Sequence, residues 1–264
     1  MPRATVGYLN SEWKLRSDRP RVLSGETRRA NTSPQEVDIE DARPLQDSGR
    51  LDLDTNGFVL AEHRSAVSDF RDPDQIKKVY VGEMTELLQG LTGADHLFWF
   101  NFSPLRSEDP DHFLSAYSLY MHCDYSPKVR NGLIRALLQR RGSELAHEQE
   151  SWDFAWFNLW RPVDWDVETR PLTIADATTI DPDDVLEYHP AEGALAAMPV
   201  HDAAQRLYYF PGMRTDEVAV FKQLDTRNDQ AQVCPHTSFD DPDSHPDGRP
   251  RRSFELRLMC AFAR

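Results

Sequence analysis

The heptapeptide YMHCDYS, Tyr120 to Ser126, sets a histidine and an acid one residue apart among strand-forming neighbours. Successive side chains of an extended chain point to opposite faces, so His122 and Asp124 project together and Cys123 points away. An imidazole and a carboxylate on one face are two thirds of the two-histidine, one-carboxylate set that holds ferrous iron and leaves its other positions open. A third ligand has to come from elsewhere. Of the nine histidines, His63, His96, His112, His147, His189, His201 and His245 have no partner at ligand spacing and read as surface or hydrogen-bonded imidazoles. His236 differs. It stands in QVCPHTSFDDP, after a strand candidate ending at Asp225 and before the basic strand start RPRRSFELR. A jelly roll brings distant strands side by side, so His236 can close a triad with His122 and Asp124.

An iron centre that works with 2-oxoglutarate and dioxygen also needs a cation for the far carboxylate of the cosubstrate. Arginine binds a carboxylate through two parallel charge-assisted hydrogen bonds, and a nearby hydroxyl can add a third. In RRSFELRL the period of two puts Arg251, Ser253, Glu255 and Arg257 on one face and Arg252, Phe254, Leu256 and Leu258 on the other. With the polar face lining a barrel, Arg251 with Ser253 is the first choice of anchor and Arg257 the second. The competing reading is a surface strand with a Glu255–Arg257 ion pair. Neither a GxSxG nucleophile elbow nor a GxGxxG or GxxxxGK phosphate loop occurs.

The elements that must position these residues are legible in outline. Residues 72–93 carry Ile76, Val79, Tyr80, Met84, Leu87, Leu88 and Leu91 at helical spacing, with acids first and glycines last, and predict an amphipathic helix. A second helix is expected over about 127–145, its arginines Arg130, Arg135, Arg140 and Arg141 forming a solvated face. HLFWFNF (96–102) reads as a buried strand, and the His122 segment as a strand over about 117–124. Further strands are expected at 154–160, 170–176, 205–210, 217–225 and 253–262, joined by turns. Helices first and strands later predict a mostly β, antiparallel double sheet with helices packed outside.

The 264 residues are expected to form one domain, with residues 1 to about 50 as an extended N-terminal arm holding two short strands, of the kind that suits a homodimer. Acidic residues outnumber basic ones 44 to 30, for a formal charge of −14, which disfavours nucleic acid or an anionic membrane as partner. No window approaches the roughly 20 apolar residues that span a bilayer, and the first residues lack a secretory apolar core, so a cytoplasmic protein is expected. Three cysteines, Cys123, Cys234 and Cys260, suit reduced and buried thiols.

Several longer segments resemble one family: DTNGFVLAEHRSAVSDF with YVGEMTELLQGLTGAD, then HCDYS, FNLWRPVDWDVETRPLTIADATTI, and LYYFPGMRTDEVAVFKQLDT running into PHTSFDDP and RRSFELR. The chain resembles the Fe(II)/2-oxoglutarate-dependent oxygenases of the cephem-methoxylase P8 (CmcJ), AsaB and NvfI type. That resemblance implies a double-stranded β-helix, a jelly-roll or cupin-like barrel with helices on one side. It implies Fe(II), 2-oxoglutarate and O2 as cofactor and cosubstrates, His122, Asp124 and His236 as iron ligands, and the strand from Arg251 to Arg257 as the carboxylate site. The family often has an acid where Arg252 stands, a position that parity turns outward. Asn158, Trp160 and Arg161, with Tyr209, Lys222 and Gln223, fall in its well-marked segments and are candidates for contact with substrate or for packing. The implied activity is hydroxylation, desaturation or another oxidation of an unactivated C–H bond in a small natural-product intermediate of specialised metabolism. The alternative is a non-catalytic jelly roll that binds a ligand or a partner subunit.

Overall fold

The alternation of side chains along two long strands decides how the molecule is layered. In the computed structural model, which describes residues 1–103, 105–107 and 117–264, β5 (Trp152–Pro162) and β12 (Ser253–Ala263) pair antiparallel along their full length. His112 lies outside the described residues. Ala155, Phe157 and Leu159 of β5 join Phe254, Leu256, Leu258 and Cys260 of β12 in one apolar cluster with Tyr80, Met84 and Leu88. The opposite face starts apolar, with Phe154, Trp156, Met259 and Ala261 against Leu137 and Leu138, and then turns polar through Asn158, Arg257, Glu255, Ser253 and Arg251. That polar half is where the cavity lies.

These strands sit in a sheet of order β3 (Phe58–Glu62), β10 (Glu217–Asp225), β5, β12, β4 (His96–Phe102). A second sheet runs β1 (Arg3–Leu9), β2 (Thr32–Asp41), β9 (Leu207–Tyr209), β6 (Leu172–Ala175), β11 (His236–Ser238). A hairpin of β7 (Val185–Tyr188) and β8 (Ala196–Pro199) flanks it. Phe58, Trp160 and Phe221 of the first sheet meet Ile174 and Tyr208 of the second in a shared core. The result is the squashed jelly-roll barrel the sequence implied.

Asp72 starts the first long helix by accepting from the Asp74 and Gln75 N–H groups. α3 (Pro73–Gln75) runs through a π-helical turn (Ile76–Tyr80) into α4 (Val81–Thr92), which ends on Gly93 at φ 66°. α1 (Gly25–Asn31) and α2 (Arg43–Asp47) are short N-terminal helices. The buried stripe steps by four, through Ile76, Tyr80, Met84 and Leu88, and this leaves Leu91 42% exposed rather than in the core.

Four expectations need correction. The stretch expected as an arm does hold the two expected strands, β1 and β2, but they are no arm: β2 pairs parallel with β9, and Val6, Tyr8 and Ile39 are buried. It is barrel wall, so a homodimer loses the free arm that suggested it. The His122 segment is extended but is no strand, because it crosses three neighbours and makes single bridges to each: Tyr120 to Gly7, His122 to His236 and Cys123 to Ala197. The second helix is only α5 (Arg130–Arg140), bounded by a 3-10 turn at Pro127–Val129 and by Gly142 at φ 62°. Arg135, Arg140 and, just past the helix, Arg141 are exposed as expected, Arg141 also donating to the Trp99 carbonyl, whereas Arg130 is half-buried and donates to the Asp225 carbonyl at 2.9 Å. Finally, β4 is the edge of its sheet and is half-buried rather than buried. All three cysteines are free and buried, as expected.

Candidate metal centre

His122, Asp124 and His236 converge: one ligand atom from each lies within 4.8 Å of the other two. A two-way backbone bridge joins the histidine segments, with His122 N–H on the His236 carbonyl at 3.2 Å and the reverse bond at 3.0 Å. Their rings lie 4.5 Å apart, centroid to centroid.

The surroundings settle which atoms are free to bind. His122 Nδ1 lies 3.0 Å from the Tyr120 carbonyl and His236 Nδ1 lies 3.3 Å from that of Cys234. A carbonyl only accepts, so each Nδ1 carries the proton and each Nε2 keeps its lone pair. Burial lowers the His122 pKa to about 4, helped by the neighbouring His236, and burial also lowers that of His236. Both rings are therefore neutral at pH 7, as ligation requires. Burial pushes the Asp124 carboxyl up, but Arg257, the two imidazoles and Asn158 outweigh it and hold the group well below the usual carboxylate range. Arg257 Nη2 donates to Asp124 Oδ1 at 2.8 Å and Asn158 Nδ2 to Oδ2 at 2.6 Å. Two neutral imidazoles and a charged carboxylate, each oriented by a hydrogen bond to its outer side, are a donor set that suits ferrous iron.

The same cavity is lined by Arg251 and Ser253. Arg251 is 3% exposed; its Nη1 donates to the Arg170 carbonyl at 2.6 Å, and its guanidinium lies between the rings of Tyr117 at 4.7 Å and Trp160 at 5.2 Å. Burial lowers its pKa to about 10, which leaves it charged at neutral pH. Among the described residues no carboxylate pairs with it, and Arg251 Nε and Ser253 Oγ have no hydrogen-bond partner. A buried cation and hydroxyl in this condition carry a desolvation cost that an incoming carboxylate would relieve.

Arg257, on the same face, is committed elsewhere: besides Asp124 it donates to Glu255 through Nε at 3.0 Å and Nη2 at 2.7 Å. Burial opposes its charge, yet Asp124, Glu255 and Tyr125 raise its pKa above the ordinary value.

Of the residues proposed for substrate contact, Trp160 lines the cavity and Asn158 reaches Asp124. Arg161 points to the other side of β5. It donates to the carbonyls of His63 and Thr215 and lies near the rings of Phe70 and Tyr80. Tyr209 packs edge-on against Phe239 and does not line the cavity. Lys222 is wholly buried in ion pairs with Asp225 at 2.7 Å and Asp54 at 3.0 Å. Arg106, Ser118, Leu172, Thr237 and Ser238 line the cavity and were not singled out from sequence. Ser118 shares parity with His122, and that was the available signal; Arg106 had none, since it reaches the site by pairing its backbone with Ser253.

Comparison with known proteins agrees with this centre. A family model for an oxidoreductase/YMDC permease-like domain matches residues 10–261. The hydroxylase/desaturase CTB9 of Cercospora beticola is 30% identical over 79% of this chain and 71% of its own. The Fe(II)/2-oxoglutarate-dependent dioxygenase nvfI of Aspergillus novofumigatus is 27% identical over 87% of this chain and 84% of its own. The chain belongs to the Fe(II)/2-oxoglutarate-dependent dioxygenase family. In fold, the dioxygenase matches the iron and alpha-ketoglutarate-dependent endoperoxidase NvfI with a TM-score of 0.85 at 24% identity, over 99% of this chain and 98% of that one. Relatives with such names speak for a catalytic dioxygenase and not for the non-catalytic alternative. No helix among the described residues is long and apolar enough to cross a membrane.

Proposed function

We propose that this dioxygenase, a single oxygenase domain, binds Fe(II) through His122 Nε2, His236 Nε2 and the Asp124 carboxylate, and takes the far carboxylate of 2-oxoglutarate on Arg251 and Ser253. When bound, Fe(II) with 2-oxoglutarate and O2 supplies the oxidising chemistry, 2-oxoglutarate leaving as succinate and carbon dioxide while an unactivated C–H bond of the substrate is oxidised. The chain's own residues prepare that event. Burial and the carbonyls of Tyr120 and Cys234 keep both imidazoles neutral and aimed. Asn158 and Arg257 hold the carboxylate ionised and fixed. Trp160 and Tyr117 pack on the Arg251 guanidinium and keep water from it. The observation that carries the reading is the convergence of His122, Asp124 and His236 on one cavity with a buried guanidinium that meets no carboxylate among the described residues.

The substrate class is a small natural-product intermediate of specialised metabolism, as befits a family whose members act on small molecules. Which C–H bond reacts, and whether hydroxylation or desaturation results, depends on how Arg106, Ser118, Leu172 and Thr237 orient it. The formal charge of −14 supports a protein that works without nucleic acid.

The test is succinate formation from 2-oxoglutarate with Fe(II) in air. The wild-type protein should turn over, while His122→Ala, Asp124→Ala and His236→Ala should each be inactive. Full turnover in any one of them would remove that residue from the ligand set.

A further inference from the structure

β10 and β5 pair residue for residue from Ala219 with Trp160 to Lys222 with Phe157, then resume at Leu224 with Trp156. Gln223 is thus the extra residue of a β-bulge, the device that re-aims a side chain next to a site. Its neighbours serve the wall, Lys222 in its ion pairs and Leu224 in the core with Tyr125 and Trp156. Gln223 itself is fully buried, and its amide works in two directions. Oε1 accepts the Asp124 N–H at 2.9 Å; Nε2 donates to the Cys234 carbonyl at 3.1 Å and to the Lys222 carbonyl at 3.2 Å.

The geometry leaves a specific task for it. The backbone bridge between His122 and His236 fixes two ligands against each other, but the chain bends at Asp124. Asn158 and Arg257 reach only the Asp124 carboxylate. Gln223 is the group that ties the Asp124 main chain to the segment ending in His236.

We propose that Gln223 is a positioning residue of the metal centre. The bulge presents one amide whose acceptor end fixes Asp124 and whose donor end fixes the Cys234–His236 segment, so the spacing of the ligands is set before any ion binds. An amide does both, with its donor and its acceptor on separate atoms: glutamate lacks the donor, lysine lacks the acceptor and methionine has no donor and only a weak acceptor. This inference rests on the reading of His122, Asp124 and His236 as the iron ligands.

The experiment titrates the full-length apo protein with Co(II) under anaerobic conditions, recording affinity and the visible ligand-field spectrum. Gln223→Met should bind about 10–100-fold more weakly, with a spectrum displaced toward that of His236→Ala and an unchanged far-ultraviolet circular dichroism. Gln223→Asn keeps the amide but is too short to span both segments; it should show the same loss, and it carries the test if the methionine variant does not fold. Leu224→Ala, a core truncation one residue away, should lower the melting temperature yet keep the affinity and spectrum of the wild type. Wild-type affinity and spectrum in a folded Gln223 variant would overturn the positioning role and leave the ligand assignment intact. Cobalt binding that His236→Ala does not weaken would instead overturn the ligand assignment.

Discussion

Arg251, buried just before β12, and Arg257, half-buried within it, stand six residues apart with the same parity and line one cavity, yet they are in opposite electrostatic states. Arg257 touches two carboxylates, those of Asp124 and Glu255. Among the described residues Arg251 touches none, and its nearest company is two aromatic rings and a carbonyl. One guanidinium completes the protein's own charge balance; the other meets no carboxylate among the described residues, the condition in which the proposed anchor would receive a ligand. Residue type and strand parity are identical for the two, so what separates their roles is the charge brought to each by other segments.

Breaking this contrast gives effects of different size and sign. Arg257→Met strands Asp124 and Glu255 as buried, uncompensated acids, and should destabilise the fold by about 3–5 kcal/mol, measured by chemical denaturation of the apo protein. Arg251→Met removes a cation that meets no carboxylate among the described residues, so the apo melting temperature should hold or rise. Its 2-oxoglutarate affinity should fall on the order of 100-fold, the worth of a pair of charge-assisted hydrogen bonds, as read by anaerobic titration. Asn158→Ala leaves Arg257 in place on Asp124 and should cost metal affinity only near the lower end of the roughly 10–100-fold range for outer-shell groups.

A remote pair calibrates the comparison. Arg43 forks onto the buried Glu217 through two bonds of 2.9 Å. Burial pushes the Glu217 carboxyl up, but Arg43 and Arg214 pull its pKa below the ordinary value. A depressed carboxylate stabilises the fold fully above its unfolded pKa, and that contribution fades as pH falls through the folded value. Arg43→Met should therefore move the acid-unfolding midpoint to higher pH and leave cosubstrate binding unchanged; a midpoint that stays put would mean Arg214 alone holds Glu217 ionised.

Much of this site was legible because strand parity is a local property. His122 with Asp124, and Arg251 with Ser253 and Arg257, are each placed on a common face by a period of two, and the structure keeps them there. The same rule, applied to β5, would have turned Arg161 away once Asn158 and Trp160 faced inward. What parity cannot supply is the partner across the barrel. Arg257 was expected to be a second anchor and Asn158 a substrate contact, because nothing near either in sequence reveals Asp124 opposite them. The bulge at Gln223 was equally hidden, since one inserted residue depends on the pairing of two strands and leaves no mark in either alone. The N-terminal strands were read as an arm because their charged outer residues mask an alternation that only β9 and the core beneath it make meaningful.

The most direct test is an anaerobic Fe(II) and 2-oxoglutarate titration of three proteins, wild type, Arg251→Met and Arg257→Met, following the visible charge-transfer band that forms when the 2-oxo acid chelates the ion. Wild type should develop the band at low cosubstrate, and Arg251→Met should bind Fe(II) normally yet need far more 2-oxoglutarate. Arg257→Met should be limited by iron instead. A band in Arg251→Met at wild-type cosubstrate concentration, or none in the wild type, would contradict the division of labour between the two arginines.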